Sequence, residues 1–426
     1  MATNTPYLAG WALTEITPDI PCHMGGYGDR SGLANATHDP LYAHALALGT
    51  QEQPWVVIIC DLIGIDEAMV HEVRRRIVQQ FPGASVWLGA THTHSGPDVA
   101  RSLSFRQEQS DPVIQEHCIA GASRAAISAL AHMHPVWVKR ASGVINGIAS
   151  NRDHPDKSAD LALDVLCFYD TDKPQAQPSA LFASFPCHPT VLDASNLALS
   201  ADLAGAYRRQ LHALLGEDTW LGLATGAAGD ISTRHMRQGQ GFDELERLGR
   251  MLAEQAYALL PAARPLRLDP PRIRDAVVAL EQKEPLAPGK IAAYIQSVQA
   301  RMSTERQMGN IAQARTQETV LQGLQAAQHR SLAQGEQVHN VAVSVALLGE
   351  CALVAVPGEL YNDLGAQIKR DSERFVLLLG YTNGYVGYIP TRAAYAEMDY
   401  EVLMSPFAPG SGERLVNALG TLLRQG

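Results

Sequence analysis

Trp55-Val56-Val57-Ile58-Ile59-Cys60 is the stretch on which the fold turns. It is a continuous apolar run rich in β-branched residues, with no polar residue alternating through it. That is the pattern of a strand buried on both faces. Just downstream, Asp66 can cap a helix in which Met69, Val70, Val73 and Ile77 recur at helical spacing. After Pro82-Gly83 a second apolar strand runs from Ser85 to Ala90. Strand, helix and strand within about forty residues predict a parallel crossover. The fold class expected is therefore α/β, a mixed β-sheet core flanked by helices.

Further out, Asp111-Pro112 opens another helix, since proline is tolerated at the first helical position. Leu245, Leu248, Met251, Leu252 and Leu259 mark an amphipathic helix that stops before Pro261. Val341 to Leu348 and Cys351 to Val356 read as a hairpin, with Gly349 first in the turn. Arg374 to Leu379 is the last strand. Between about residues 285 and 335 the composition shifts to Gln, Ala and Arg, which predicts a helical arm or lid. No Gly/Ser-rich or Pro-rich linker divides the chain, so residues 1–426 are expected to form one domain.

Composition narrows the class. The chain is 46% hydrophobic and 18% charged, ordinary for a globular protein. Its 44 acidic against 34 basic residues, net charge −10, carry no footprint for nucleic acid. No apolar run approaches the roughly 20 residues of a membrane-spanning helix. The first residues lack the basic region and apolar stretch of a signal peptide. Six dispersed cysteines without Cys-x-x-Cys spacing read as reduced thiols, so the cytoplasm is the expected compartment. A homo-oligomer stays open.

The polar residues gather where the apolar strands stop. Thr91-His92-Thr93-His94-Ser95-Gly96-Pro97, Pro186-Cys187-His188-Pro189-Thr190, Thr225 to Ser232, Pro357-Gly358-Glu359 and Gly380 to Tyr388 each follow a strand. In α/β sheets ligands bind outside the carboxyl ends of strands, so these segments are expected to converge there around a metal site. In extended backbone His92 and His94 would point to one side, a pair suited to a metal or to one ligand plus one acid/base. Glu359 adds a hard oxygen, and two imidazoles plus a carboxylate with an open position make a catalytic zinc arrangement. Arg152, between Asn151 and Asp153, has a solvated ion pair as its plain alternative. Ser232 lacks a Gly-x-Ser-x-Gly elbow, which weakens a nucleophile role. Gly226 to Ser232 lacks the Gly-Lys-Ser/Thr of a phosphate loop.

As an ordered series these segments resemble the neutral ceramidase family, zinc amidases that split N-acylsphingosine. The series starts with Gly10-Trp11, Ile16-Thr17-Pro18, Met24-Gly25-Gly26-Tyr27, His38-Asp39-Pro40-Leu41-Tyr42 and Asp61. It continues through the Thr-His-Thr-His block, Asn151-Arg152, His188-Pro189-Thr190 and Ser200-Ala201-Asp202. Gly229-Asp230-Ile231-Ser232, Pro357-Gly358-Glu359 and the Tyr block close it.

The resemblance implies a zinc ion held by His92, His188, Glu359 and Tyr388, with Tyr385 the alternative to Tyr388. It implies His94 as acid/base or substrate contact, and Arg152 and Tyr400 polarising or holding the amide. Ser232 matches a serine read either as nucleophile or as hydrogen-bond donor. The activity implied is cleavage of a linear amide, in N-acylsphingosine or another N-acyl amine, by a metal-activated water. A small soluble amide, lactam or ester is the alternative substrate, and a non-catalytic metal-stabilised binding protein the alternative function. Three departures stand out. The family's further C-terminal β-sandwich domain is not expected here, no export signal is seen, and the usual Asn before Gly-Asp and Pro-Asn after the serine are replaced, Thr233-Arg234 following Ser232.

Overall fold

Every residue of the strand Pro54–Cys60 is buried. The computed structural model describes residues 7–100, 111–172, 177–330, 338–397 and 399–425, with backbone alone at 312 and 326–330. Val56, Ile58 and Cys60 face a core shared with the helices Glu67–Gln80 and Pro112–Ala131. Trp55, Val57 and Ile59 face a different core, shared with a second sheet. The period-2 alternation of a strand thus persists inside an all-apolar run, because each face has its own apolar layer to meet. In the second core Trp55 and Trp87 meet edge to face, with centroids 4.9 Å apart.

Among the described residues the larger sheet has nine strands. Trp220–Thr225, Ala180–Phe185, Ala162–Asp170, His134–Val144, Tyr7–Glu15, Tyr42–Gly49, Pro54–Cys60 and Ser85–Ala90 lie side by side in that order, and Arg264–Pro265 pairs with His134–Val144. Its outer face is covered at one end by Glu67–Gln80 and Pro112–Ala131, and at the other by Asp202–Leu215 and Phe242–Leu259. Its inner face packs on a four-stranded sheet, ordered Arg272–Glu281, Val338–Leu348, Cys351–Ala355, Phe375–Leu379. The helices Asn362–Arg370 and Ser411–Arg424 cover the far side of that sheet. Both sheets are mixed, and the layering is helix, sheet, sheet, helix. This is the α/β class expected, with a metal-competent cluster at the strand ends.

Local signals read in the chain explain the elements. The Asp66 carboxylate accepts from the Met69 N–H at 2.9 Å, and the buried residues of the helix it caps are Met69, Val70, Val73 and Ile77. Asp111 likewise accepts from the Val113 N–H at the start of Pro112–Ala131. Phe242–Leu259 passes into a single 3₁₀ turn at Leu260–Ala262, where Pro261 cannot extend the helical ladder. Gly349, at φ 69°, turns the hairpin between Val338–Leu348 and Cys351–Ala355. The Gln/Ala/Arg-rich stretch forms two helices, Pro288–Gln307 and Ile311–Arg330, that share a small core with Leu403. Residues 331–335 of the expected arm lie outside the described residues.

Three parallel pairs bring the polar segments together. Pro54–Cys60 pairs with Ser85–Ala90, Ala180–Phe185 with Trp220–Thr225, and Cys351–Ala355 with Phe375–Leu379. Parallel partners end on the same side, so each pair delivers two loops to one edge. Those loops are then cross-tied through backbone groups. The Ala90 N–H donates to Tyr381 O at 3.1 Å, Gly380 N–H to Thr225 O at 2.9 Å, Gly229 N–H to Leu360 O at 2.8 Å and His188 N–H to Ile231 O at 3.0 Å. The Thr225 hydroxyl closes the ring by donating to Thr91 O at 2.7 Å.

Candidate metal centre

His92 leaves the end of Ser85–Ala90 with φ 66°. This differs from the extended backbone expected, so His92 and His94 do not converge as alternate residues of a strand. They converge because the left-handed residue swings the His92 ring back, until its Nε2 lies 3.3 Å from the His94 Nε2. Such a conformation is uncommon for a non-glycine residue and concentrates at functional sites. Tyr381, itself at φ 53°, stacks on the His92 ring at 4.0 Å between centroids.

His188 comes from the loop after Ala180–Phe185 and is fully buried. The His92 and His188 rings are 4.8 Å apart between centroids, and ring nitrogens of His92, His94 and His188 all lie within 4.8 Å of one another. Glu359 enters from the loop after Cys351–Ala355, with Oε2 2.8 Å from His188 Nε2 and 3.5 Å from His92 Nε2. Its other oxygen accepts from the Tyr385 hydroxyl.

The donor set fits a divalent cation. His92 Nδ1 lies 2.6 Å from Ile63 O, and His188 Nδ1 2.6 Å from Ala228 O. A carbonyl only accepts, so each Nδ1 carries the proton and each Nε2 of the neutral ring is a bare lone pair. The His188 Nε2 and Glu359 Oε2 atoms are buried with no hydrogen-bond partner, although they face each other. Burial, reinforced by the Arg152 charge, holds His188 down to about 4, so its ring is neutral at neutral pH. Acceptor thus faces acceptor, an arrangement that a shared cation relieves. Imidazole nitrogen and carboxylate oxygen are ligands zinc accepts.

The remaining candidates line the approach. Arg152 is buried, not solvated, and its ion-pair partner is Glu401, not the neighbouring Asp153. Its Nη2 donates to Gly229 O at 2.9 Å and to the Tyr388 hydroxyl at 3.0 Å. The short parallel pairing of Glu359 with Tyr388 sets that tyrosine beside the cluster, its ring 6.4 Å from the His188 ring. Tyr400 meets Tyr388 edge to face at 5.8 Å. The Ser232 hydroxyl accepts from the Arg234 N–H at 3.3 Å, and among the described residues no imidazole is hydrogen-bonded to it. Ser232 and His188 are instead joined by a backbone bridge.

No protein-family model matches the chain. It is 22% identical to the neutral ceramidase of Pseudomonas aeruginosa over 498 aligned positions, which take in 100% of this chain and 73% of that protein. The crystal structure of the neutral ceramidase from Pseudomonas aeruginosa superposes with a TM-score of 0.77 at 19% identity, covering 98% of this chain and 74% of that one. The chain is thus similar over its whole length to a neutral ceramidase, and it shares that protein's fold. A second solved structure, a ceramidase complexed with C2, gives a TM-score of 0.75 at 18% identity. The neutral ceramidase of rice, Oryza sativa subsp. japonica, is 22% identical over 236 residues, 48% of this chain and 28% of that protein.

Several of the segments that carry the resemblance brace the centre from outside. Asp202 accepts from the Val191 and Leu192 N–H groups, each at 3.1 Å, and so fixes the loop after His188. Asp39 accepts from the Ser200 hydroxyl at 2.6 Å and the Ala201 N–H at 3.0 Å, while the Thr93 hydroxyl donates to Ser200 O at 2.8 Å. Asn151 donates to Asp230 at 2.8 Å, and Asp230 in turn accepts from the Asn362 N–H at 2.8 Å.

A cavity of about 530 Å³ opens over the centre, reaching His94, Arg152, Ser232, Tyr388 and Tyr400. Sequence reasoning missed the roles of Glu401 behind Arg152 and of Tyr381 on His92, and the arginines Arg234, Arg237 and Arg315 on the cavity walls. Glu401 is adjacent to Tyr400, but nothing in the local pattern says that it answers Arg152. The spacing of Arg315, Thr319 and Gln322 on one helical face was the available signal for the cavity wall.

Proposed function

We propose that this chain is a zinc-dependent hydrolase of a linear amide bond, acting in the manner that the name of its ceramidase relatives implies. The observation that carries the reading is the 2.8 Å approach of two unprotonated acceptors, His188 Nε2 and Glu359 Oε2, beside the His92 and His94 nitrogens. His92, His188, Glu359 and Tyr388 would hold the ion. Tyr388 is preferred over Tyr385 because the Tyr385 hydroxyl donates its proton to Glu359, whereas the Tyr388 oxygen accepts from Arg152. A zinc ion bound there supplies a water of lowered pKa, near 7, and Lewis-acid polarisation of a carbonyl.

The chain's own groups do the rest. Arg152 and Tyr400 hold the amide and stabilise charge as it builds on the carbonyl oxygen. Burial keeps His94 well below its usual range, so the ring is neutral and able to relay a proton. His94 Nδ1 is buried without a hydrogen-bond partner. One water is consumed: its oxygen joins the released carboxylate, the C–N bond breaks, and a proton passes to the departing nitrogen. Ser232 serves as a hydrogen-bonding group, which its contact with the Arg234 N–H supports. The six free, buried cysteines support a reducing compartment. No helix among the described residues is long and apolar enough to cross a membrane.

Metal analysis coupled to an amidase screen tests this. His188→Ala is expected to lose metal and hydrolysis together. His94→Ala is expected to keep the metal and turn over about 10²–10⁴-fold more slowly. Purified protein without stoichiometric metal, with hydrolysis untouched by chelators, overturns the reading.

A further inference from the structure

The cavity over the metal centre carries positive charge that amide hydrolysis does not need. The chain as a whole has a net charge of −10, yet Arg152, Arg234, Arg237 and Arg315 line this one space against two carboxylates, Asp29 and Asp193. Arg152 is answered by Glu401. Arg315 pairs with Glu318 on its own helix at 2.9 Å. Arg234 is paired only at longer range, and Arg237 has no ion pair among the described residues. Arg234 donates to Arg152 O at 3.3 Å and to the Thr316 hydroxyl at 3.2 Å, and its nearest carboxylate, Asp153, is 3.8 Å away. Arg237 donates to Thr190 O, and among the described residues no carboxylate lies within ion-pair distance of it.

Two independent elements supply these cations, the segment after Ser232 and the helix Ile311–Arg330. Arg234, Arg237 and Arg315 also line an adjoining space of about 580 Å³, where Asp29, Asp193 and Glu318 stand among them. Burial lowers Arg237, with Tyr27, Asp202 and Asp193 opposing the shift and Arg315 adding to it. Burial likewise holds Arg234 down to about 10, with Asp153 and Glu401 opposing the shift and Arg152 and Arg237 adding to it. Cations crowded into a partly buried space repel one another unless an anion joins them. Arg234 is also one of the two positions at which the motif after Ser232 departs from the family pattern. Tyr27, Tyr388, Tyr400 and Met404 give these walls apolar surface as well. Gln240, Gln322, Gln325 and Thr319 stand beside the arginines.

We infer that the substrate is a small soluble amide bearing a carboxylate, which Arg237 and Arg234 grip while the scissile amide lies at the His/Glu cluster. The inference rests on the amide-hydrolase reading for its chemistry, and on the arginines alone for its charge. A guanidinium pairs with a carboxylate through two parallel charge-assisted hydrogen bonds. Either side of the amide can carry the anion.

The test uses the zinc-loaded full chain and two matched pairs. Glutaryl p-nitroanilide against valeryl p-nitroanilide puts the charge on the acyl side. N-butyryl p-aminobenzoate against butyranilide puts it on the amine side. In one pair the anion is expected to be preferred about tenfold or more in kcat/KM, the scale of one charge-assisted hydrogen bond. Arg237→Gln is expected to collapse that ratio and Arg237→Lys to restore part of it. Glutarate binding by calorimetry is expected to weaken about tenfold in Arg237→Gln.

If amides are hydrolysed but neutral partners or N-acylsphingosine are preferred, and the ratio is unmoved in Arg237→Gln, the inference is overturned while the hydrolase reading stands. If no amide is hydrolysed but glutarate binds in an Arg237-dependent way, the hydrolase reading fails and the anion site stands. Neither hydrolysis nor glutarate binding overturns both.

Discussion

Arg152 and Glu401 form a buried ion pair directly behind the Tyr388 hydroxyl. Arg152 lies at 6% exposure and Glu401 at 1%, so neither charge has water to fall back on. Removing one partner of such a pair leaves a buried charge uncompensated, which costs about 3–5 kcal/mol. Glu401→Ala is therefore expected to lose stability on that scale in urea unfolding, and to lose turnover through a displaced Arg152. Glu401→Gln, which keeps the shape and one hydrogen bond, is expected to lose less. Equal stability of Glu401→Ala and wild type rules out the pair as a structural anchor.

Gly26 sits at φ 96° against the ring of His94, where an added Cβ would lie 2.5 Å from the ring atoms Cγ and Nδ1. Gly26→Ala must therefore strain the backbone and push the ring away. The expected result is about 1–3 kcal/mol of lost stability and slowed hydrolysis, with metal content retained. Stability is read by denaturant titration and metal by elemental analysis. A variant with unaltered turnover shows that the ring does not need its position.

The Asp66 cap lies at the opposite end of the argument, far from any proposed role in chemistry. Its carboxylate satisfies one helix N–H, so Asp66→Ala is expected to cost about 1 kcal/mol by thermal or urea unfolding. Metal content and turnover should not change. A loss of several kcal/mol indicates that Asp66 does more than cap.

His44 makes stability depend on acid. Burial, helped by Arg208 and opposed by Asp61, lowers it from 6.5 to about 4. The unfolded chain takes up this proton near pH 6.5, the folded chain only near pH 4. The folded state thus binds fewer protons across that window, so stability is complete above pH 6.5 and falls as pH drops toward 4. The loss is on the order of 3 kcal/mol. Asp202, which burial raises to about 6, works in the opposite direction, losing stability as pH rises toward 6. The comparison to make is therefore between wild type and His44→Gln, by urea unfolding at a series of pH values. A flatter acid limb is expected in the variant, and parallel limbs refute the assignment.

Much of this could be read from the chain before any coordinates. The Trp55–Cys60 run announced a strand with two apolar neighbours, and the Asp66 and Asp111 caps opened the helices expected of them. These are local signals, governed by period, capping and turn chemistry over a few residues. The grouping of polar residues after strands also pointed to one edge, because parallel strands share a direction. The reasoning for His92 and His94 was less secure. An extended backbone was expected, but a left-handed residue brought the rings together.

Other features were set only by the assembled fold. The partner of Arg152 is Glu401 and not Asp153 because burial beside Tyr388 admits one geometry for the guanidinium. The carbonyls that orient His92 and His188 belong to Ile63 and Ala228, in loops with no distinctive side chain to betray them. The arginine wall joins the segment after Ser232 to a distant helix. Composition and spacing thus determined the layers and the residue types that can reach their edge. Tertiary structure decided which atoms face each other there, since hydrogen bonds and charges act over a few ångströms and depend on loops whose mutual placement no local pattern encodes.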